Sequence, residues 1–220
     1  KKRARIGSPS GKGAEKRGWC LFGSANHLYD SVMKHLVLIS SSVREGRMSD
    51  RTALFLKGYA EKRERVSAEI LDLKAYGFPF FTERLAFQRN PSPELLDFTE
   101  RFVRADGVIV VSPVYNASYP AALKNVIDVY VREWVRKPVG VVSVSSGKTP
   151  GIATIQQLQA LLLKLGAWVV PAMYTVTQVE TSFDPEERPA VREQAEAYAD
   201  PLLDGLSEFM ECASAPERKE

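Results

Sequence analysis

The segment 106–130 constrains the fold more than any other part of this 220-residue chain. It opens with an apolar, β-branched run at 106–111, typical of a buried parallel strand. A turn follows, with Ser118 expected to cap the next helix and Pro120 expected in its first turn. Apolar residues then recur at helical spacing and predict a face packed on a sheet: Ala122, Leu123, Val126, Ile127 and Tyr130. A strand, a turn and a helix in succession predict an α/β fold whose ligands lie at the carboxyl ends of the strands.

The same alternation continues through most of the chain. Helical spacing predicts helices near 50–63, 92–104, 152–165 and 187–210. Ser92 or Asn90 is expected to cap the helix near 92–104. We expect Pro201 to kink or split the last of them. Apolar runs predict further strands at 35–40, 66–73, 138–144 and 167–171. The aromatic segment 76–81 is too irregular for a strand, so it forms either a wall of a substrate pocket or a cover over the core.

Composition limits the class of protein. Apolar residues make up 45% and charged residues 26% of the chain, as in ordinary globular domains. No run of about 18 apolar residues is present, so we expect no membrane span. The two cysteines, Cys20 and Cys212, lie outside the predicted strands, which argues against a disulfide framework and favours a cytoplasmic protein. Neither belongs to a Cys/His cluster, so we expect no metal site.

Charge separates the amino-terminal segment from the rest. Residues 1–33 hold seven basic and two acidic residues, which leaves the remainder at −2 of a total of +3. The predicted domain therefore lacks the basic face that nucleic-acid binding requires. We expect 1–32 to be a disordered basic extension or the product of a mis-assigned start, with a transit peptide or nucleic-acid-binding arm as the alternative. The single domain is predicted at 33–211, with a loose tail at 212–220.

The loop after the first predicted strand has the features of an anion site. It lies between a strand end and a helix start, where backbone N–H groups and the positive end of the helix dipole meet. Ser42, Arg44 and Ser49 can donate to phosphate oxygens, and Arg47 adds a second guanidinium. The alternative is that both arginines are solvated loop charges.

A third loop, at 145–151, lies on the same predicted edge of the sheet. Its Gly147-Lys-Thr sequence resembles part of a P-loop, but that motif requires a glycine where this chain has Val142. The spacing therefore excludes a nucleotide-triphosphatase site here.

Together these loops resemble the NAD(P)H-dependent FMN reductase family. Residues 113–116 and 123–125 are similar to its Pro-Glu-Tyr-Asn turn and Leu-Lys-Asn helix, with Val114 in place of Glu. Residues 41–47 are similar to its Gly-Ser-x-Arg-x-x-Ser loop, with Ser41 in place of Gly and Arg47 in place of the second Ser. Residues 145–147 are similar to its Ser-x-Gly segment.

The resemblance implies a flavodoxin-like three-layer α/β sandwich around a five-stranded parallel sheet of order 2-1-3-4-5. It also implies FMN as cofactor and NADPH as co-substrate. The residues that it assigns to the FMN phosphate are Ser42, Arg44, Arg47 and Ser49. Those that it assigns to the flavin ring are Pro113, Val114, Tyr115 and Asn116, and those at the ring edge are Ser145, Ser146 and Gly147.

The activity implied is a ping-pong exchange in which NADPH reduces the flavin and a quinone, flavin, azo compound or metal oxyanion then takes the electrons. The flavin performs the chemistry, so we expect no catalytic side chain. Arg84, Arg89 or Lys148 could meet the 2′-phosphate of NADPH, or serve solubility alone. The resemblance also implies a homodimer or homotetramer, paired through 132–134 and the helix ending at Tyr130.

The alternative function is a flavodoxin-like electron carrier, or a flavin-binding sensor, without a small-molecule acceptor of its own. A carrier usually presents an acidic docking face. The mild charge of −2 over the predicted domain therefore favours the enzyme.

Overall fold

A single parallel sheet forms the centre of the molecule. The computed structural model describes residues 32–184, 186 and 188–214. Its strands run in the order β2-β1-β3-β4-β5, with β6 also paired to β4. The strands are β1 (Lys34–Ser40), β2 (Val66–Asp72), β3 (Gly107–Pro113), β4 (Pro138–Val144), β5 (Trp168–Val169) and β6 (Tyr174–Val176). The predicted flavodoxin-like order is confirmed.

Helices cover both faces of the sheet. They are α1 (Ser49–Ala60), α2 (Leu73–Tyr76), α3 (Pro93–Arg104), α4 (Ala121–Val129), α5 (Ile152–Lys164), α6 (Val179–Ser182) and α7 (Arg192–Ser214). Two 3₁₀ turns, Leu85–Phe87 and Arg132–Trp134, complete the regular structure. Buried residues of α3, α4 and α5 form the core on one face, and those of α1, α6 and α7 form it on the other. Strands β3 and β4 are buried along their whole length, as their β-branched sequences predict.

The fifth predicted strand, 167–171, is divided. β5 pairs with the start of β4, and β6 pairs with its end, from Val142 to Val144. Pro171 lies between the two short strands and has no N–H to donate to a ladder, which explains why pairing stops there. The division brings the segment after β6 beside the loop after β4.

Of the two predicted helix caps, the one for α3 is confirmed and the one for α4 is wrong. Ser92 caps α3, since its hydroxyl accepts a hydrogen bond from the Leu95 amide at 3.2 Å. The prediction that Ser118 caps α4 is wrong: Pro120 is the residue before the helix, and the Ser118 hydroxyl donates to Gln157. Ser118 lies too far before α4 because it belongs to the preceding turn.

Pro201 lies inside α7 without splitting it, so that part of the prediction is wrong. The buried side chains of Leu202 and Leu206 come so close to β4 that a Cβ at Gly140 would lie 2.8 Å from one of them. This burial offsets the hydrogen bond that proline removes. The helix continues to Ser214, so residues 212–214, expected in a loose tail, are helical. The predicted extension 1–32, except Val32, and the tail after Ser214 lie outside the described residues.

Several apolar side chains on or next to α3, α5 and α7 lie at the surface instead of in the core. Leu96, Val103, Ile152, Val191 and Tyr198 are all exposed. Tyr130, predicted on the face packed against the sheet, is 1% exposed, so that prediction is confirmed. Trp134, within the segment expected at a subunit contact, is 0% exposed and belongs to the core of this chain. Helical spacing predicts a face but not its width, and that width depends on neighbouring elements.

The aromatic segment after α2 divides between the two predicted roles. Phe78 stacks on Tyr76 and packs edge-on against Phe98, so it covers the core. Phe80 is 87% exposed. Both line a cavity of about 230 Å³ against α4.

None of the helices in the described part of the chain combines the length and apolar character needed to cross a bilayer.

Candidate functional site

A cavity of about 160 Å³ lies where the loops after β1, β3 and β4 converge with the start of α6. Carboxyl ends of neighbouring parallel strands meet at one edge of a sheet, which brings these loops together. Asn116, Ser145 and Gly147 were predicted for the site but do not line this cavity. The predicted residues that do line it are Ser42, Arg44, Arg47, Ser49, Pro113, Val114, Tyr115 and Ser146.

The start of α1 has the features of a phosphate site. Ser49 is the first residue of the helix, and its hydroxyl is buried without a hydrogen-bond partner. Met48, the residue before the helix, provides no capping side chain. The exposed Arg44 lines the same cavity and makes no ion pair among the described residues. An unpaired donor, a helix amino terminus and a guanidinium together match the needs of a phosphate.

Arg47 is engaged within the protein. Its guanidinium donates to both carboxylate oxygens of Asp72, at 2.6 and 2.5 Å, and to the Ser42 carbonyl at 2.6 Å. A longer contact of 3.4 Å joins it to Asp50. The hydrogen bonds with Asp72 raise the pKa of Arg47 above its ordinary value. Its side chain is only 14% exposed, so the interpretation of Arg47 as a solvated loop charge is wrong. These contacts tie the loop to the end of β2.

The turn after β3 has an unusual backbone. Tyr115 and Ser118 exchange hydrogen bonds between their amides and carbonyls, at 2.8 and 3.0 Å. The two residues between them, Asn116 and Ala117, have φ of 51° and 61°. Positive φ at both central positions is typical of a type I′ turn, which usually uses asparagine or glycine. Asn116 fits this preference and Ala117 does not.

Two further contacts fix this turn against its neighbours. The Tyr115 hydroxyl lies 2.8 Å from the Ser42 hydroxyl, which joins the turn to the loop after β1. The Val114 amide donates to the Val144 carbonyl at 2.9 Å, which joins it to β4. A Cβ at Gly151 would collide with the Val114 side chain and lie 2.7 Å from the Ser143 hydroxyl. Only glycine therefore allows the loop after β4 to approach the turn so closely.

The loop after β4 is anchored to the segment between β6 and α6. The Ser145 amide donates to the Val176 carbonyl at 2.8 Å, and its carbonyl accepts from the Val179 amide at 3.1 Å. The Gly147 carbonyl accepts from Gln178 at 2.9 Å, while its amide donates to the Ser145 hydroxyl at 3.0 Å. Ser146 is left exposed at the cavity.

Sequence reasoning missed several residues at this site, among them two polar ones on helices. Gln157 of α5 contacts the turn after β3 through both atoms of its side-chain amide. Glu180 of α6 lines the cavity together with residues of the loop after β1. Neither belongs to a motif, and their positions depend on how α5 and α6 pack, so no sequence signal could have indicated them.

Comparison with known proteins agrees with this geometry. The family model described as NADPH-dependent FMN reductase matches residues 33–181. An NAD(P)H-dependent FMN reductase of Saccharomyces cerevisiae is 32% identical over 163 residues, which cover 68% of this chain and 84% of the relative. The chain belongs to the NADPH-dependent FMN reductase family.

Other members of the NADPH-dependent FMN reductase family and related structures extend the comparison. A quinone reductase of Escherichia coli is 31% identical over 149 residues, covering 61% of this chain and 72% of the relative. FerB, a flavoenzyme NAD(P)H:(acceptor) oxidoreductase from Paracoccus denitrificans, superposes with a TM-score of 0.67 at 22% identity, covering 81% of this chain and 98% of FerB. The latter supports the fold.

Family membership makes the protein an oxidoreductase that uses FMN with NAD(P)H as co-substrate. The cavity suits this cofactor, because the unpaired Ser49 hydroxyl and Arg44 provide donors for a phosphate. Pro113, Val114 and Tyr115 provide an apolar and aromatic surface beside them.

Proposed function

We propose that the protein takes reducing equivalents from NADPH through FMN bound in the cavity and passes them to a small-molecule acceptor, namely a quinone, flavin, azo compound or metal oxyanion. The observation that carries the proposal is that a buried Ser49 hydroxyl without a hydrogen-bond partner lines the same cavity as the turn 113–118 and as Arg44, which makes no ion pair with the described residues. Bound FMN supplies the redox chemistry, accepting hydride equivalents and donating electrons. The protein supplies binding and orientation.

Each loop has its own task in this proposal. Arg44 and Ser49 donate to the phosphate, and Ser42 shares its hydroxyl between the phosphate and Tyr115. Arg47 acts on the phosphate indirectly, because its contacts with Asp72 and the Ser42 carbonyl fix the loop.

The other two loops serve the flavin ring. Pro113, Val114, Tyr115 and the backbone of Asn116 lie along the ring, and Ser145, Ser146 and Gly147 lie towards its polar edge. The bonds that anchor 145–147 to the segment after β6 keep these groups in place before the flavin binds. The Ser145 and Gly147 amides already donate within the protein, so Ser146, exposed at the cavity, is the residue of this loop that would donate to the edge of a bound flavin.

We propose a homodimer or homotetramer as the working assembly and the cytoplasm as its location. Since Tyr130 and Trp134 are buried, the apolar side chains exposed near that helix end are Val131 and Val135, at 37% and 54% exposure, beside the exposed Arg132 and Arg136. Light scattering on the purified full chain at several concentrations measures the assembly directly. A monomer at all of them would contradict this proposal.

A spectroscopic titration tests the activity. FMN is added to the purified protein, followed by NADPH and then by a quinone, while the visible flavin bands are recorded. We expect the bands to shift on binding, to bleach with NADPH and to return with the quinone.

The other outcomes separate the alternatives. Binding without bleaching would favour the carrier or sensor, since such a protein has no need to accept reducing equivalents from NADPH. Absence of binding would overturn the assignment of the cavity to FMN.

A further inference from the structure

Gln157 makes two hydrogen bonds to the turn after β3. Its side-chain Nε2 donates to the Ala117 carbonyl at 2.9 Å, and its Oε1 accepts from the Ser118 hydroxyl at 2.7 Å. A primary amide offers a donor and an acceptor side by side, so one side chain can serve both partners. The bond to Ser118 also explains why that hydroxyl does not cap α4.

The turn that Gln157 contacts needs such support. Asn116 and Ala117 both have positive φ, a backbone conformation that asparagine tolerates but that is strained for alanine. Strained conformations of this kind persist only where the surroundings hold them. The paired Tyr115 and Ser118 backbones, the Tyr115 hydroxyl contact with Ser42 and the Val114 amide bond to β4 hold the start of the turn. Gln157 is the side chain that forms hydrogen bonds with Ala117 and Ser118 among the described residues.

Helix α5, which carries Gln157, is packed against the sheet on both sides of this residue. Its neighbours Ile155 and Leu158, together with Leu162, are fully buried against the sheet. The Gln157 side chain is therefore attached to a helix whose position is fixed by its packing. A helix positions a contact residue more precisely than a loop does.

We propose that Gln157 is a positioning residue that holds residues 115–118 in the conformation that receives the flavin ring. The proposal rests on the proposed function for its consequence, because these residues are assigned to the ring. Without Gln157 the turn populates other conformations, and flavin binding must first restore the competent one, which lowers the apparent affinity.

The test compares Gln157→Ala with Gln156→Ala. Gln156 is exposed, adjacent and of the same type, and its side chain makes no hydrogen bond with the described residues. Dissociation constants for FMN and for riboflavin are measured from flavin fluorescence. We expect Gln157→Ala to weaken both by a similar factor of about ten, the scale of one or two lost hydrogen bonds, because the turn acts at the ring and not at the phosphate. Gln156→Ala is expected to leave both unchanged.

A second variant separates positioning from general stability. Gln157→Glu keeps the acceptor for Ser118 but replaces the donor to the Ala117 carbonyl with an oxygen, so it is expected to bind both flavins as poorly as Gln157→Ala. Thermal unfolding of all three variants is expected to lie close to that of the original protein, because Gln157 is exposed. Unchanged affinities in Gln157→Ala, or a loss confined to FMN, would overturn the proposal.

Amide hydrogen exchange provides a readout that does not depend on flavin. The Tyr115 and Ser118 amides are expected to exchange faster in Gln157→Ala than in Gln156→Ala, since both lie in the turn that Gln157 supports. If the original protein bound no flavin, the proposed function would fail while this comparison still decided the role of Gln157. Equal exchange in the two variants would reject that role.

Discussion

Arg44 and Arg47 carry the same guanidinium three residues apart, yet their environments differ completely. Arg47 is nearly enclosed and donates to Asp72 and to the Ser42 carbonyl. Arg44 is exposed at the cavity without an ion pair among the described residues. A side chain whose donors are already used supports a loop, whereas one with free donors can meet a ligand.

Arg44→Ala is expected to weaken FMN binding by about 1–3 kcal/mol, the scale of a hydrogen bond to a charged group. Riboflavin has no phosphate, so its affinity is expected to remain unchanged. Fluorescence titrations with both flavins measure this difference. Lys164→Ala is the matched control, because it also removes an exposed positive charge but lies at the last position of α5, away from the cavity. Unchanged FMN affinity in Arg44→Ala would remove this residue from the phosphate site.

Ala117 has positive φ in the turn after β3, so its replacements should change stability in opposite directions. Ala117→Gly relieves the backbone strain and is expected to stabilise the protein by about 0.5–1 kcal/mol, whereas the β-branched Ala117→Val is expected to destabilise it by about 1–2 kcal/mol. Denaturant unfolding measures both values. A destabilised Ala117→Gly would show that the strain is absent in solution.

At the scale of elements, the loop after β1, which we propose binds the phosphate, is held from β2 as much as from α1. Asp72, the last residue of β2, binds Arg47 and also accepts a hydrogen bond from the Lys74 amide at the start of α2. Lys74 in turn pairs with Glu45 of the loop at 2.8 Å. The loop thus depends on the strand next to its own.

Asp72→Asn distinguishes a supporting Arg47 from one that binds phosphate directly. If Arg47 supports the loop, the loss of the ion pair is expected to weaken FMN binding severalfold and to lower the free energy of unfolding by about 1–3 kcal/mol. If Arg47 contacts the phosphate, releasing its guanidinium would strengthen FMN binding instead. Parallel titrations and denaturant unfolding separate the two, with Asp204→Asn as a control for an exposed ion pair on α7.

At the scale of the whole molecule, a charged cluster joins three elements at the side of the sheet. Glu69 of β2 lies 2.7 Å from His35 of β1 and accepts from the Arg101 Nε of α3 at 2.7 Å. Burial by itself raises the pKa of Glu69, but the hydrogen bonds with His35 and Arg101 outweigh it and lower the pKa below its ordinary value. The ionised carboxylate therefore stabilises the fold.

The sign of this pKa shift fixes a pH dependence. A lowered folded-state pKa contributes stability above the unfolded value of about 4.3, and that contribution is lost as pH falls through the folded-state pKa. Glu69→Gln is expected to destabilise the protein at pH 7 by about 1–3 kcal/mol, and the difference from the original protein is expected to shrink below about pH 4. Unfolding at a series of pH values measures this difference.

Glu100→Gln serves as the control, because Glu100 is exposed on α3 and makes no ion pair among the described residues. It is expected to match the original protein at every pH. A destabilisation by Glu69→Gln that persisted unchanged into acid would mean that the carboxylate charge is not the cause.

The sequence by itself determined the positions of the first four strands and predicted the three loops that meet at the carboxyl edge of the sheet. The β-branched runs within 107–113 and 138–144 indicate strands, because β-branched residues favour extended backbone and a continuous apolar run suits a strand buried on both faces. The order of the strands came through resemblance to a family, which those loops carry. Local patterns suffice to predict strands and loops because each of these is encoded within a few consecutive residues.

Only the tertiary structure decided the roles of Arg47, Ser118 and Gln157. Arg47 and Asp72 are 25 residues apart, and Gln157 and the Ala117 carbonyl are 40 apart. The continuity of α7 through Pro201 likewise depends on packing against β4. Hydrogen bonds and burial between distant segments form only after the chain has folded, so local spacing in the sequence does not encode them.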